Sequence, residues 1–205
     1  PEAAISAIAA SGDTVIVAFA SDTTANGDDQ TKGDGVAINY NADDTSSVSW
    51  LYLAQPKDST TDTTFSWDGN TLSAFPITLT IGNIIYDLAI TSDYFWAASF
   101  YGGLRRLDRS HISAGWERVP LPEDSDTEFL CGGDHSDFVL NSQEPELDGN
   151  RNHRVFSVLA YGDTIWVGTA KGINRGILDN SNCIDWTHFW YPNDGISGNW
   201  VVGMA

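Results

Sequence analysis

The sequence predicts an all-β protein, and three observations support this fold class. Aromatic residues are abundant, with 8 Trp, 7 Tyr and 9 Phe, and these side chains favour the pleated surface of a sheet. The chain also contains 19 Gly, many of them beside Asp or Asn in short polar turns. Short apolar runs between these turns recur in a fixed order, which indicates a structural repeat.

The first half of the repeat is a predicted β-hairpin. Three segments align: ISAIAASGDTVIVAFA from Ile5, IYDLAITSDYFWAASF from Ile85 and VFSVLAYGDTIWVGTA from Val155. Each segment alternates apolar residues, passes through a turn that contains Asp, and continues into a second run rich in β-formers. A period of two with turn residues between the runs is typical of two antiparallel strands.

The second half of the repeat predicts two more strands. A third run begins at a glycine in GVAINY, GLRRLD and GINRGI, which start at Gly35, Gly103 and Gly172. A Trp then opens a fourth run in WLYLAQP, WERVPLP and WTHFWYP, and a Pro stands six residues after that Trp in all three copies. Because the same spacing occurs in all three copies, it indicates a true structural repeat and not a chance match.

Four short strands in a repeat of about 40 to 50 residues are the signature of a β-propeller blade. The shortest spacing between equivalent positions, from Val155 to Val201, is 46 residues. We therefore assign residues 1–205 to one β-propeller segment and expect it to be part of a larger propeller. Its parts are blade 1 (5–56), blade 2 (84–122), blade 3 (154–192) and the first strand of blade 4 (199–205).

The repeat also resembles two known families. IWVGTAKGI followed by HFWYPNDGISGNWVVGMA is similar to the propeller repeat in sensor ectodomains of two-component regulators. The glycine of the third run, a later Asp (Asp43, Asp108 or Asp179) and the Trp resemble a degenerate Asp-box of sialidase-like propellers. The resemblance implies two alternative functions, a ligand-sensing ectodomain and part of a glycan-processing enzyme.

Three insertions separate the repeats: insertion 1 (21–34), insertion 2 (57–82) and insertion 3 (123–150). Together they hold 16 of the 28 acidic residues. In a four-stranded antiparallel blade, the loop between the second and third strands and the link to the next blade emerge on one face. We therefore predict an acidic, loop-rich face that binds a protein or glycan ligand.

Charge excludes other classes of partner. The net charge of −18 and the pI near 4.1 argue against nucleic acid and anionic lipid, because both require a basic surface. No apolar run approaches the roughly 18 residues of a membrane helix, so no membrane insertion is expected within this chain. Further propeller blades, in the same or a neighbouring chain, are expected partners.

Insertion 1 is a candidate calcium site. Ca²⁺ prefers carboxylate and carbonyl oxygens, and the stretch SDTTANGDDQTKGDG is rich in them. The order of an EF-hand loop is missing, so a solvated acidic turn is the alternative, and no cofactor is certain. The candidate ligands are Asp22, Asn26, Asp28, Asp29 and Asp34.

Two cysteines, Cys131 and Cys183, form either one disulfide or two free thiols. A bridge would tether insertion 3 to the following blade. With few Lys and many Asp, Asn, Thr and Ser, the composition favours an exported protein that is extracellular or on the cell surface, with the periplasm also open.

The remaining candidates favour binding over catalysis. Trp67, which has no repeat equivalent, is the candidate exposed aromatic, and with Asp68 it forms a candidate ligand site. His135 is a weak metal candidate, and Arg106 and Arg175 recur at one repeat position, which favours a structural role. No G-x-S-x-G or H-E-x-x-H motif is present, so we expect a non-enzymatic binding or scaffolding module.

Overall fold

The computed structural model describes residues 3–44, 46, 48–143, 145–147, 149–178 and 183–205. Over these residues the secondary structure is strands with three short 3₁₀ helices, so the predicted all-β class is confirmed. The 3₁₀ helices are Ile112–Ala114, Pro145–Leu147 and Arg151–His153. Within the part of the chain described, no helix combines the length and the apolar character that crossing a membrane requires.

The strands are short and follow the repeats. They are β1 (Ala4–Ser11), β2 (Thr14–Ala25), β3 (Asp28–Asn39), β4 (Leu51–Leu53), β5 (Thr64–Trp67), β6 (Asn70–Ala74), β7 (Ile85–Ile90), β8 (Tyr94–Ser99), β9 (Gly103–Asp108), β10 (Glu117–Arg118), β11 (Glu128–Phe129), β12 (Val139–Leu140), β13 (Val155–Tyr161), β14 (Thr164–Thr169), β15 (Ile173–Leu178) and β16 (Ile184–Phe189).

Three antiparallel sheets are each built from four strands that are consecutive in the repeat. Sheet I has the order β1-β2-β3-β4, sheet II contains β7 to β10, and sheet III contains β13 to β16. In sheet III the short strand β11 pairs with the outer edge of β16 and adds a fifth strand. None of these sheets closes into a barrel.

A fourth sheet joins two insertions. The hairpin β5-β6 belongs to insertion 2, and β12 belongs to insertion 3 and pairs with β6 in parallel. The turn of the hairpin is Asp68-Gly69, with both residues at positive φ, which is the backbone of a tight type I′ turn. The two insertions therefore fold on each other as one small sheet, which we call the bridging sheet.

The three main sheets stack in sequence order with sheet II in the middle. Its first strand, β7, contacts both β1 and β13, so the first strands of the sheets lie side by side. One core forms between sheets I and II around Ile16, Ile38 and Phe95, and a second forms between sheets II and III. Because sheets cover both of its faces, β8 is buried along its whole length, whereas most of β1 is exposed.

A buried asparagine links sheet II to sheet I, and another links sheet III to sheet II. Asn83 donates from Nδ2 to the carbonyl of Pro56 at 2.7 Å, and Asn152 makes the same bond to Pro122 at 2.7 Å. These prolines are the repeat positions that follow the fourth strand. Both asparagine side chains are fully buried, so breaking either hydrogen bond would leave a buried polar group that cannot bond to water instead, which costs free energy. The two links therefore fix the relative position of adjacent sheets.

Insertion 1, predicted as an acidic loop, instead continues β2 and β3 as a two-stranded ribbon. The two strands pair as far as the turn at Asn26-Gly27, where Ala25 lies opposite Asp28, with one register shift between Phe19 and Ala20 at the base of the ribbon. Both turn residues have positive φ, 55° and 88°. Asn-Gly is the pair that type I′ hairpin turns prefer, and this turn lets the ladder continue through an acidic sequence.

Candidate binding face

The three insertions contact one another in chain order. The ribbon meets insertion 2 where Lys32 and Ile81 form an isolated β-bridge. The Gly33 N–H donates to the Thr80 carbonyl at 2.9 Å beside that bridge. Insertion 1 is thus joined by its backbone to the last residues of insertion 2.

Insertions 2 and 3 are joined through the bridging sheet and beyond it. The Phe75 N–H donates to the Leu140 carbonyl at 2.8 Å, next to the parallel pairing of β6 with β12. At the far end of the hairpin, the Gly132 N–H donates to Asp68 Oδ2 at 2.7 Å. Insertion 3 is therefore held at two separated points on insertion 2.

Insertion 3 is also fixed to sheet III. Cys131 and Cys183 form a disulfide in the structure, and β11 pairs with β16 nearby. The Cys131 N–H donates to Asp185 Oδ1 at 2.8 Å, and the His188 N–H donates to the Thr127 carbonyl at 2.8 Å. The three insertions therefore form a continuous, well-anchored layer along sheets I to III, which we call the binding face.

A buried ion cluster pins insertion 2 to sheet II. Asp58 accepts two hydrogen bonds from Arg105, at 2.9 and 3.1 Å, and one from Arg118 Nε, at 3.2 Å, and Arg118 Nη2 lies 3.1 Å from Asp58 Oδ2 as an ion pair. The Ile77 N–H donates to the same carboxylate at 2.8 Å. Burial alone raises the pKa of Asp58, but the hydrogen bonds and charge of Arg105, with Ile77 and Arg118, hold that pKa below its usual value.

An acidic cleft lies on insertion 3. Its volume is about 510 Å³, and its wall includes the Phe129 ring and five carboxylates. The pKa of Glu123 is raised, first by burial and also by the charges of Asp126 and Asp124, while a bond from Val139 N–H opposes the shift. The carboxylates belong to Glu123, Asp126, Glu128, Asp134 and Asp137.

A neutral histidine ties insertion 3 to the end of sheet II. His153 is 1% exposed and accepts the Asn141 N–H at Nδ1 over 2.9 Å. The proton therefore resides on Nε2, which donates to the Leu121 carbonyl at 3.0 Å. Burial lowers the pKa of His153 to about 4, although the carbonyls of Leu121 and Asn141, the latter 3.2 Å from Nδ1, raise it, so the ring is neutral at pH 7.

We expect acid to destabilise the fold through His153. An unfolded histidine takes up a proton near pH 6.5 and the folded one near pH 4, so stability falls as pH drops between these values. The contribution is about 3 kcal/mol, measured as the change in unfolding free energy by urea denaturation. His153→Gln keeps an Nε2 donor and should flatten this dependence, whereas His111→Gln, at an exposed ring, should not. Equal pH profiles for His153→Gln and the unmodified protein would contradict the assignment.

The candidate ligand site at Trp67 and Asp68 has a different environment from the one expected. Trp67 is 5% exposed, so the prediction that it is an exposed aromatic is wrong. The guanidinium of Arg106 lies 4.5 Å from the Trp67 ring centre and 4.6 Å from that of Tyr94, so the three stack in the core. Asp68 is exposed and bonded to Gly132, which gives it a structural partner.

The ribbon spreads the candidate calcium ligands out. Asp22 lies opposite Thr31, Asp29 lies opposite Thr24, and Asp34 forms an ion pair with Lys32. Asp22 and Asp29 share one face of the ribbon, but Asp28, the neighbour of Asp29, points to the other face, so this geometry does not favour one ion held by all five candidates. Calcium binding there stays a prediction. Among the described residues, one group of His, Cys, Asp or Glu ligand atoms lies close enough for a metal, and its cysteines are disulfide-bonded: Asp68, Cys131 and Cys183.

Two other single-residue candidates, Arg106 and His135, have partners within the protein. Arg106 Nε forms an ion pair with Glu117 Oε2 at 2.8 Å, in addition to its aromatic contacts. His135 stacks on Phe129 with ring centres 3.8 Å apart, and its Nε2 lies 2.9 Å from the Leu130 carbonyl. Both geometries are those of side chains that stabilise the local fold.

Of the three aspartates that resemble those of an Asp-box, Asp108 has hydrogen bonds that define its structural role. Asp108 accepts the Ser110 N–H at 2.7 Å and the Ser110 hydroxyl at 2.7 Å, so it closes the turn after β9. The Ser110 hydroxyl and His111, followed by the Ser110 N–H, lower the pKa of Asp108 to about 2. Asp43 is exposed, and Asp179 lies outside the described residues.

Sequence reasoning missed the ion cluster at Asp58. Its arginines lie 47 and 60 residues further along the chain, beyond the reach of any local motif. One signal was available, because the chain has only 10 basic residues and two of them, Arg105 and Arg118, fall inside predicted strands of one repeat. A cation at a core position of an acidic protein indicates a buried carboxylate partner.

Comparison with known proteins does not assign this site. A scan against protein-family models gave no match to the chain, and a search of curated proteins gave none either.

Proposed function

We propose that sheets I, II and III are successive blades of a β-propeller. The strand order within each sheet and the side-by-side first strands support this arrangement. So does a tether between neighbouring first strands, where the Val158 N–H donates to Asp87 Oδ2 at 2.9 Å. The Val201 N–H bonds to the Thr169 carbonyl at 3.0 Å, which suits the start of a fourth blade beside sheet III.

Further blades would cover the outer faces of the stack. On sheet I, Ile8 lies beside Val17 and is 63% exposed, and Tyr52 in the same cross-strand row is 71% exposed. On sheet III, Leu159 and Ile177 are 36% and 41% exposed on the face away from sheet II. We infer that more sheets of the same repeat pack there, because exposed apolar sheet faces favour association.

We propose that the protein is a non-enzymatic binding module whose binding face engages a protein partner with a basic surface. The acidic cleft carries this proposal. Its carboxylates repel one another, and the fold holds them together through β11, the disulfide and the bonds to β16 instead of letting the insertion move away. Rigidly presented charge of one sign favours a partner of the opposite sign. A glycan partner is less favoured, since Trp67 is buried.

The disulfide also supports export. Bridges between cysteines persist in oxidising compartments and are rare in the cytosol. We therefore propose that the binding module acts outside the cytosol, in the extracellular space, on the cell surface or in the periplasm.

Binding of charged peptides tests the proposed function. We expect a lysine-rich peptide to bind in isothermal titration calorimetry, more weakly as salt increases, and a glutamate-rich peptide of equal length not to bind. Neutralising three exposed carboxylates of the cleft should weaken the lysine-rich peptide about tenfold. The variant combines Glu128→Gln, Asp134→Asn and Asp137→Asn.

A matched control removes the same charge from the other end of the sheets. It combines Asp13→Asn, Asp93→Asn and Asp163→Asn, all in exposed hairpin turns. The control should bind the lysine-rich peptide almost as tightly as the unmodified protein. Equal weakening in both variants would show an effect of net charge alone and would refute the cleft as the binding site.

A further inference from the structure

An apolar cavity lies on the binding face above sheet II. Its volume is about 320 Å³, and none of the described residues that line it carries a charge. Leu79 and Leu147 are 65% and 61% exposed at its edge, and Phe75 is 45% exposed. The apolar wall comprises Phe75, Ile77, Leu79, Ile81, Tyr101 and Leu147. An open, uncharged cavity is unusual in a chain with a net charge of −18.

The wall from insertion 2 is held rigidly. Ile77 pairs with Asp58 in both directions, since the Asp58 N–H donates to the Ile77 carbonyl at 2.8 Å and Asp58 Oδ2 accepts the Ile77 N–H. The bonds of Phe75 to Leu140 and of Thr80 to Gly33 fix both ends of the segment. The cavity therefore exists before any ligand arrives.

The Tyr101 ring, which forms another part of the cavity wall, is also held rigidly. A Cβ on Gly82 would lie 2.7 Å from this ring, so the glycine permits the ring to pack against the backbone. The Arg154 guanidinium lies 5.7 Å from the ring centre, and Arg154 Nε donates to the Ser142 carbonyl at 2.8 Å. A preformed cavity loses little conformational entropy on binding, which favours an anchor site.

Position and charge define the occupant. Sheets I and III cover both faces of sheet II, so an additional blade at either end of the stack would not reach the cavity. A second copy of this chain is also disfavoured, because two chains with a net charge of −18 each repel. A partner with basic residues is attracted by the same field.

We propose that this cavity anchors one bulky apolar side chain, aromatic or branched aliphatic, of a protein partner whose flanking residues are basic. The inference rests on the proposed function and specifies its partner. Interfaces obtain most of their affinity from a few apolar anchors in well-packed pockets, and charge around them adds attraction at longer range. The cavity supplies the anchor site, and the carboxylates of the acidic cleft elsewhere on insertion 3 supply the attraction at longer range.

Two short peptides test the proposal with the whole chain. One carries a central tryptophan between lysines, and the other has alanine in place of that tryptophan. We expect the tryptophan peptide to bind about tenfold more tightly. NMR shifts of the labelled protein should change at the amides of Ile77 and Tyr101 with the tryptophan peptide only. Leu79→Glu should abolish the difference between the peptides, and Val48→Glu, at a residue 63% exposed on another part of the surface, should preserve it.

The outcomes separate this inference from the proposed function. If both peptides bind equally and Leu79→Glu has no effect, the cavity is not an anchor, although charge-driven binding remains. If neither peptide binds, both proposals fail. The NMR measurement uses the unmodified protein, so it decides the question even if a variant does not fold.

Discussion

Replacing Asp58 by Asn is expected to lower the free energy of unfolding by about 3 to 5 kcal/mol. The side chains of Asp58, Arg105 and Arg118 are only 5 to 6% exposed, so the substitution would leave two guanidinium groups buried without their carboxylate. An asparagine keeps the shape and one carbonyl oxygen but not the charge. The loss should be measurable by urea denaturation at pH 7, with an unchanged dependence on denaturant if the fold is preserved.

Asp62→Asn is the matched control for Asp58→Asn. The Asp62 carboxylate is exposed and accepts one bond, from the Ser59 N–H at 2.7 Å, while its backbone carbonyl binds Arg118. Its neutralisation should change stability by less than about 1 kcal/mol. The pKa of Asp58 is lowered in the fold, so its contribution is present above the unfolded pKa of about 3.9 and is lost as pH falls below that value. Similar losses in both variants would contradict a special role for the buried cluster.

The strands were predictable because their signals are local and repeated. The turns at Asp13, Asp93 and Asp163 each separate two paired strands in the structure. In the sequence, the prolines after the fourth strands showed a regular spacing, but nothing indicated which residues they contact. In the structure, the carbonyls of Pro56 and Pro122 accept hydrogen bonds from the buried asparagines, so the repeated proline marks a contact between neighbouring sheets.

The candidate site was less predictable because its environment comes from distant parts of the chain. Trp67 lies in a hairpin of insertion 2, and it is buried because it packs into the core between sheets II and III, where Arg106 also stacks on it. Composition also concealed a local signal. The acidic residues of insertion 1 suggested a metal-binding loop, although Asn26-Gly27 is a strong hairpin pair, and backbone conformation decided the structure there.

Removing the disulfide by combining Cys131→Ser with Cys183→Ser is expected to destabilise the protein by roughly 4 kcal/mol. The bridged residues are 52 apart, and closing a loop of this length restricts the unfolded chain by about that amount. In the folded state, β11 has only two residues, so its pairing with β16 alone should open more often. Urea denaturation should show the loss, and hydrogen exchange at Glu128 and Phe129 should become faster. Reducing agent should destabilise the unmodified protein equally and leave the double variant unchanged. If the double variant retains its stability and slow exchange, the backbone bonds of insertion 3 suffice to hold the acidic cleft in place.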